Sequence, residues 1–204
     1  MTGFSRSTLR TRVPVLWAFF IYAFAVRVLP YVLHEMAGAP LKNAVSNYPW
    51  HFTPLFALAL FGGAAFSLRL AILAPLATMV LGDLLIAAVS GGQWGFYRDQ
   101  PFTYLGFLLI AACGLPLRRR RHAGGVALAG LGGTTAFFLI SNFGVWTTGG
   151  GYARPLTPSG LLMCYADGLP FYGPTVLSMA VFLPLLFSPL VLRGEVKAFE
   201  GTTA

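Results

Sequence analysis

Apolar residues follow one another along this chain in blocks too long for the core of a soluble domain. Six blocks approach the roughly 20 apolar residues that a membrane-spanning helix needs. The first, Val13 to Leu33, is interrupted only by Arg27. The stretch Phe52 to Ser90 is too long for one span and carries Arg69 near its centre. It therefore predicts two helices, 52–67 and 69–90, divided by a tight turn at Ser67-Leu68-Arg69. Thr53 offers an N-cap and Pro54 a first helical residue for the shorter of the two. The other spans are expected at 101–117, 125–147 and 174–192. None of these blocks alternates apolar with polar residues as barrel strands do. The pattern predicts an all-α integral membrane protein, a six-transmembrane-helix bundle forming a single membrane domain over 1–204.

Composition strengthens that reading. Only 10% of the residues are charged, against about 25% in soluble domains, too few to cover a water-facing surface. The net charge of +8 raises the question of nucleic acid, but its placement answers otherwise. Arg6, Arg10 and Arg12, then Arg118 to Arg121, then Arg193 and Lys197 stand beside apolar blocks, where topology signals belong. They carry no interleaved aromatic platform for single strands, so no nucleic-acid partner is expected, and membrane lipid is.

Lysine and arginine also set the expected sidedness. With the N-terminus inside, ten basic residues fall on the inner side and three, Lys42, Arg98 and Arg154, on the outer side. The positive-inside rule then places both termini in the cytoplasm, with the chain in the bacterial cytoplasmic (inner) membrane. Val13 to Leu33 exceeds the apolar region of a signal peptide, roughly 7–15 residues, so an uncleaved first helix is expected. The third outer loop opens at Thr148-Gly149-Gly150-Gly151. Within it Thr157-Pro158-Ser159 reads as a helix start and Gly168 as a stop. A short amphipathic segment at 158–168 is expected there, lying in the interface or folding over the bundle as a lid.

Two charges fall inside spans, Arg27 in the first and Asp83 in the third. Counted from the span centres at 1.5 Å per residue, both stand roughly 5–6 Å to the outer side of the midplane. A lone charge near the centre of a bilayer costs about 2.5–3.5 kcal/mol on insertion scales. An Arg27–Asp83 pair is expected, either as a structural lock between helices or lining an outward polar pocket. Asn142 and Trp146 in the fifth span are four residues apart and share a helix face. They suit a small polar or aromatic ligand, or equally an interhelical hydrogen bond. Small residues at Ala59/Gly63 and Ala129/Gly133 have the spacing that lets helices approach closely, within the bundle or against another subunit.

Catalytic patterns are missing. The sequence has no phosphate-binding G-x-x-x-x-G-K-[ST], no H-E-x-x-H and no G-x-S-x-G. His34, His51 and His122 are scattered, and Cys113 and Cys164 lack the spacing of a metal or disulfide framework. No enzyme activity, metal or cofactor is expected.

Several stretches carry a resemblance. Phe52-Thr53-Pro54, Ala57 to Ala64, Pro75-Leu76-Ala77-Thr78-Met79 with Asp83, Ser141 to Trp146, and Cys164-Tyr165 through Leu169-Pro170-Phe171 resemble an uncharacterised family of bacterial six-helix inner-membrane proteins. That family is similar in size and span count to the substrate-binding S components of energy-coupling-factor (ECF) transporters. The resemblance implies a bundle that captures a vitamin-like molecule or metal from outside and works with a scaffold and separate ATPases. The sequence departs from S components in two ways. Ala18 is followed by Tyr22 where their first helix often repeats alanine, and the histidine-rich loop of the cobalt and nickel versions is absent. On this reading Arg27 receives a carboxylate or phosphate, Asp83 holds Arg27, and Asn142 and Trp146 complete a ligand site. The competing expectation is a non-catalytic accessory subunit of a larger respiratory or photosynthetic membrane complex.

Overall fold

The computed structural model describes residues 10–37 and 52–193. Six α-helices account for most of them. They are α1 (Val13–Ala37), α2 (Leu55–Ala65), α3 (Leu68–Val89), α4 (Gln100–Gly114), α5 (Ala123–Thr148) and α6 (Pro158–Leu186). A 3-10 turn, Leu115–Arg118, prolongs α4. Two residues at each described end, β1 (Arg10–Thr11) and β2 (Leu192–Arg193), pair antiparallel, with Arg10 opposite Arg193. Arg6, Lys42, His51 and Lys197 lie outside the described residues.

Five of the helices are long and apolar enough to cross a membrane: α1, α3, α4 with its 3-10 extension, α5 and α6. That is consistent with a multi-pass membrane protein. Their exposed faces carry large apolar side chains such as Trp17, Ile21, Leu73, Leu128 and Leu177, a surface suited to lipid rather than water.

The helix at the second expected span differs. α2 has 11 residues, so at 1.5 Å per residue it is about 16 Å long, roughly half the hydrocarbon thickness. Every residue from Leu55 to Ala64 is buried, and α2 touches all five of the long helices. A helix that is apolar all round belongs in a core, and α2 is the central post of the bundle. The expected span 52–67 is therefore corrected to a short internal helix.

Close packing around that post depends on two glycines. A Cβ on Gly63 would meet the Ala111 carbonyl of α4, and one on Gly114 would meet the Leu60 carbonyl of α2. The two backbones lie against each other at this crossing. Phe56, Phe107 and Phe137 then interlock, with ring centroids 4.9–5.3 Å apart, joining α2, α4 and α5.

The turn between α2 and α3 falls at Phe66-Ser67, where the Ser67 hydroxyl accepts from the Leu70 amide. Arg118 reaches the same end of the bundle. Its Nε donates to the Gly63 carbonyl at 2.6 Å and its Nη2 to the Phe66 carbonyl at 2.7 Å. These carbonyls close α2, whose C-terminal end carries partial negative charge. One member of the arginine run is thus half-buried and structural. This is the arginine-rich end of the bundle, and it also holds the β1–β2 pair.

α6 corrects a second expectation. Its N-cap is Thr157, whose hydroxyl accepts from the Gly160 amide at 3.2 Å. The helix does not stop at Gly168 but continues for 29 residues, through Pro170, Pro174 and Pro184. The amphipathic segment at 158–168 and the span at 174–192 are one helix that ends at Leu186. Gly168 is there for packing: a Cβ would strike the Asn142 side-chain oxygen on α5. Each proline leaves the carbonyl four residues earlier, of Ala166, Pro170 and Ala180, without its helical N–H donor, an interruption that helices in membranes commonly accommodate.

Candidate functional site

Because α2 is short, no helix among the described residues fills the space beyond its N-terminus. Ser178 of α6 anchors that start, donating from a buried hydroxyl to the Thr53 carbonyl at 2.6 Å. Pro54 occupies the N-cap position, and the Thr53 hydroxyl just before it accepts from the Leu55 amide at 3.4 Å. Beyond it lies a cavity of about 520 Å³. Its floor is Thr53, Leu55 and Phe56. Its walls are Ala23, Val26 and Arg27 of α1, Met79 of α3, Thr103 and Phe107 of α4, Ser141 and Asn142 of α5, and Asp167, Gly168 and Phe171 of α6. Loop residues Tyr97, Asp99, Gly151 and Tyr152 line it at the end away from the arginine-rich end.

Behind the α1 wall sits a polar cluster. Asp83 is fully buried and pairs with Arg27, whose Nη2 donates to Oδ1. Its other oxygen accepts from Tyr104 OH at 2.6 Å and from Gln100 Nε2. A buried carboxylate is tolerable only with such compensation. Gly82 makes room for the arginine, since a Cβ there would stand 3.0 Å from Arg27 Cδ.

Arg27 itself is less satisfied than Asp83. Its side chain is 24% exposed, its Nε is buried without a hydrogen-bond partner, and Asp83 is the acceptor it reaches among the described residues. A guanidinium has five N–H donors, so Arg27 retains donors for something in the cavity.

No motif or periodicity in the sequence marks Gln100 or Tyr104 as partners of Asp83. The loop before α4 brings Gln100 in. Gly95, at φ 106°, folds so close to the end of α3 that a Cβ would meet the Asp83 carbonyl and Ala87. The Gly95 carbonyl then accepts from Gln100 Nε2 at 3.0 Å. A loop that doubles back leaves no periodic signature in the sequence.

The two expected ligand residues of α5 separate. Asn142 lines the cavity, with Nδ2 donating to the Phe138 carbonyl at 2.9 Å. Cys164 packs on it from α6, Sγ lying 3.4 Å from the Asn142 carbonyl. Trp146 does not line the cavity. Its Nε1 donates to the Pro155 carbonyl at 2.8 Å, so it fastens the loop between α5 and α6. One further turn along the helix carries it past the cavity rim.

That loop has a second fastening. Arg154 donates to both oxygens of Asp167, from Nε at 2.7 Å and from Nη2 at 2.9 Å. Its guanidinium carbon also lies 5.5 Å from the Tyr152 ring centroid. The carboxylate beside it holds the Arg154 guanidinium even more firmly protonated than usual. Asp99, against the start of the same loop at Gly150, is different. Partial burial raises its pKa above the ordinary value of 3.8, and no ion pair reaches it among the described residues.

Among the described residues no group of three His, Cys, Asp or Glu side chains could hold a metal ion, and both cysteines are free. Among the described residues the arrangement offers a sheltered space, aromatic faces, one under-used arginine and one carboxylate without an ion-pair partner.

Residues 7–199 match DUF6580, a family of unknown function, and the chain belongs to that family. No curated protein and no solved structure matches it.

Proposed function

We propose that this member of the DUF6580 family is the substrate-capture subunit of a multicomponent uptake transporter. It acts without catalysis of its own in a bacterial cytoplasmic membrane, with the arginine-rich end inside, in the manner of an ECF S component. The observation that carries the reading is the cavity of about 520 Å³ over the half-length helix α2. Small-molecule sites commonly enclose about 300–1,000 Å³. Apolar helices that only scaffold a complex have no reason to leave such a space unfilled, since a void forfeits packing.

In this reading the ligand enters from the outer face, past the loops at 91–99 and 149–157. It is a small polar or aromatic molecule held by Arg27 and Asn142 against Phe56, Phe107 and Phe171. The chain carries no phosphate-binding loop of its own, so energy comes from partner ATPases through a membrane scaffold. Trp146 acts indirectly, through the loop it fastens.

The test is purification from the native host in mild detergent, followed by identification of what accompanies the chain. An ATPase pair with a membrane scaffold is expected, along with a small molecule whose removal lowers the Tm. Arg27→Ala and Asn142→Ala should abolish that ligand-dependent stabilisation. A stoichiometric redox or pigment complex, with no retained small molecule, would instead establish an accessory subunit and end the transport reading.

A further inference from the structure

Among the described residues the charges around the cavity do not balance, and the imbalance has a sign. Arg27 is neutralised by Asp83 behind it. Asp167 is neutralised by the bidentate Arg154. Asp99 remains. It lines the cavity, is half-buried, and has no cationic partner among the described residues. Its own neighbour Arg98 is exposed and does not line the cavity. An unpaired carboxylate that has lost part of its hydration is a standing demand for a cation.

The surroundings of Asp99 suit one. Tyr97 lines the cavity beside it, with its hydroxyl held by Thr103 Oγ1 at 3.3 Å. On the other side the chain at Gly150 approaches closely enough that a Cβ there would lie 3.6 Å from Asp99 Oδ1. A tyrosine ring next to a carboxylate is a setting that attracts ammonium groups. At the α1 wall the spare Arg27 donors call for an acceptor, but the Arg27–Asp83 pair is already neutral and need not be matched by a full negative charge.

We propose that the cavity selects a cationic or zwitterionic ligand. Its ammonium or protonated ring nitrogen docks on Asp99 beside Tyr97, and a carbonyl or carboxylate acceptor turns toward Arg27. An apolar or aromatic body spans the distance between them over Phe56 and Phe107. This inference rests on the capture reading and narrows it, because an arginine in a pocket considered alone would suggest a simple anion.

The experiment uses three probes built on one ring: 4-(aminomethyl)benzoate, 4-methylbenzylamine and 4-methylbenzoate. Binding to the purified full-length chain is followed by calorimetry and by Tm at pH 7.5. The two amines are expected to bind at least tenfold tighter than 4-methylbenzoate, with the zwitterion tightest. Asp99→Asn should erase the advantage of the amines, Asp99→Glu should keep part of it, and Arg98→Gln should leave it intact. Phosphatidylethanolamine carries the same pair of groups. Repeating the titration in discs of phosphatidylglycerol with and without that lipid separates a lipid head group from a soluble ligand: competition by the lipid identifies the former. Tighter binding of 4-methylbenzoate, an Asp99→Asn protein with unchanged selectivity, or no binding of any probe overturns the proposal. Failure of the capture reading is seen separately, as the absence of partner ATPases on co-purification.

Discussion

Arg118 Nε donates to the Gly63 carbonyl at 2.6 Å, so an arginine from the basic run closes the C-terminal end of the helix that the whole bundle surrounds. The second bond, from Nη2 to Phe66, takes up another carbonyl at the α2–α3 turn. Without them these groups would face apolar surroundings unpaired.

Arg118→Ala is expected to destabilise the bundle by about 1–3 kcal/mol, the usual cost of stranding buried polar groups. Arg119 is exposed, and Arg119→Ala should change stability by less than about 0.5 kcal/mol. Unfolding of the two variants in mixed micelles compares them directly. Equal effects would mean that the clamp is dispensable.

The Asp83 cluster should be sensitive in a graded way. Asp83→Asn leaves Arg27 partly buried and unneutralised, and breaking such a pair typically costs about 3–5 kcal/mol. Tyr104→Phe removes one hydrogen bond to a charged group, about 1.5–3 kcal/mol. Steady loss of stability in that order, measured by the same unfolding assay, is the expected result.

At the crossing of α2 and α4 a single methyl group has no space. Gly63→Ala should cost about 1–3 kcal/mol through overpacking, whereas Gly132→Ala, where a Cβ meets nothing within 4 Å, should be neutral or slightly stabilising because alanine favours helix. A Gly63→Ala protein as stable as the parent would show that the helices are not in backbone contact.

Asn142 and Trp146 should part company in function. Asn142→Ala is expected to weaken binding of 4-(aminomethyl)benzoate about tenfold, equivalent to roughly 1.4 kcal/mol. Trp146→Phe, which loses the bond to Pro155, should leave equilibrium affinity within about threefold and speed dissociation by loosening the loop. Stopped-flow release of the probe reads the difference.

Asp99 gives the protein a pH signature. Its pKa is raised by burial, so the folded state holds this proton more tightly than the unfolded chain does. Its stabilising contribution is full below the ordinary value of 3.8 and is lost as pH rises through the raised one. Asp99→Asn should therefore raise the Tm of the ligand-free protein at pH 7.5 while removing amine selectivity. Affinity for 4-methylbenzylamine should fall on acidification at a higher pH than an ordinary aspartate would give, as the carboxylate becomes protonated. At pH 3.8 the carboxylate should be at least half protonated, and an affinity unchanged there from pH 7.5 would remove Asp99 from the site.

Hydropathy and charge placement along the chain were enough to read an all-helical, membrane-compatible protein. They also brought Arg27 and Asp83 together, since two opposite charges at one depth in apolar helices have few other partners. Helix starts marked by side-chain chemistry, such as Thr157-Pro158, were readable for the same local reason. The length of α2 was not, because the apolar stretch from Phe52 onward reads alike whether it meets lipid or five neighbouring helices. Nor was the continuity of α6 through Gly168, where a residue that ends helices in water instead makes room for Asn142. Gln100, Tyr104, Asp99 and Arg118 took their roles from contacts across as many as 55 residues of chain. Those contacts come from the way the helices cross and the loops fold back, and no local pattern encodes either.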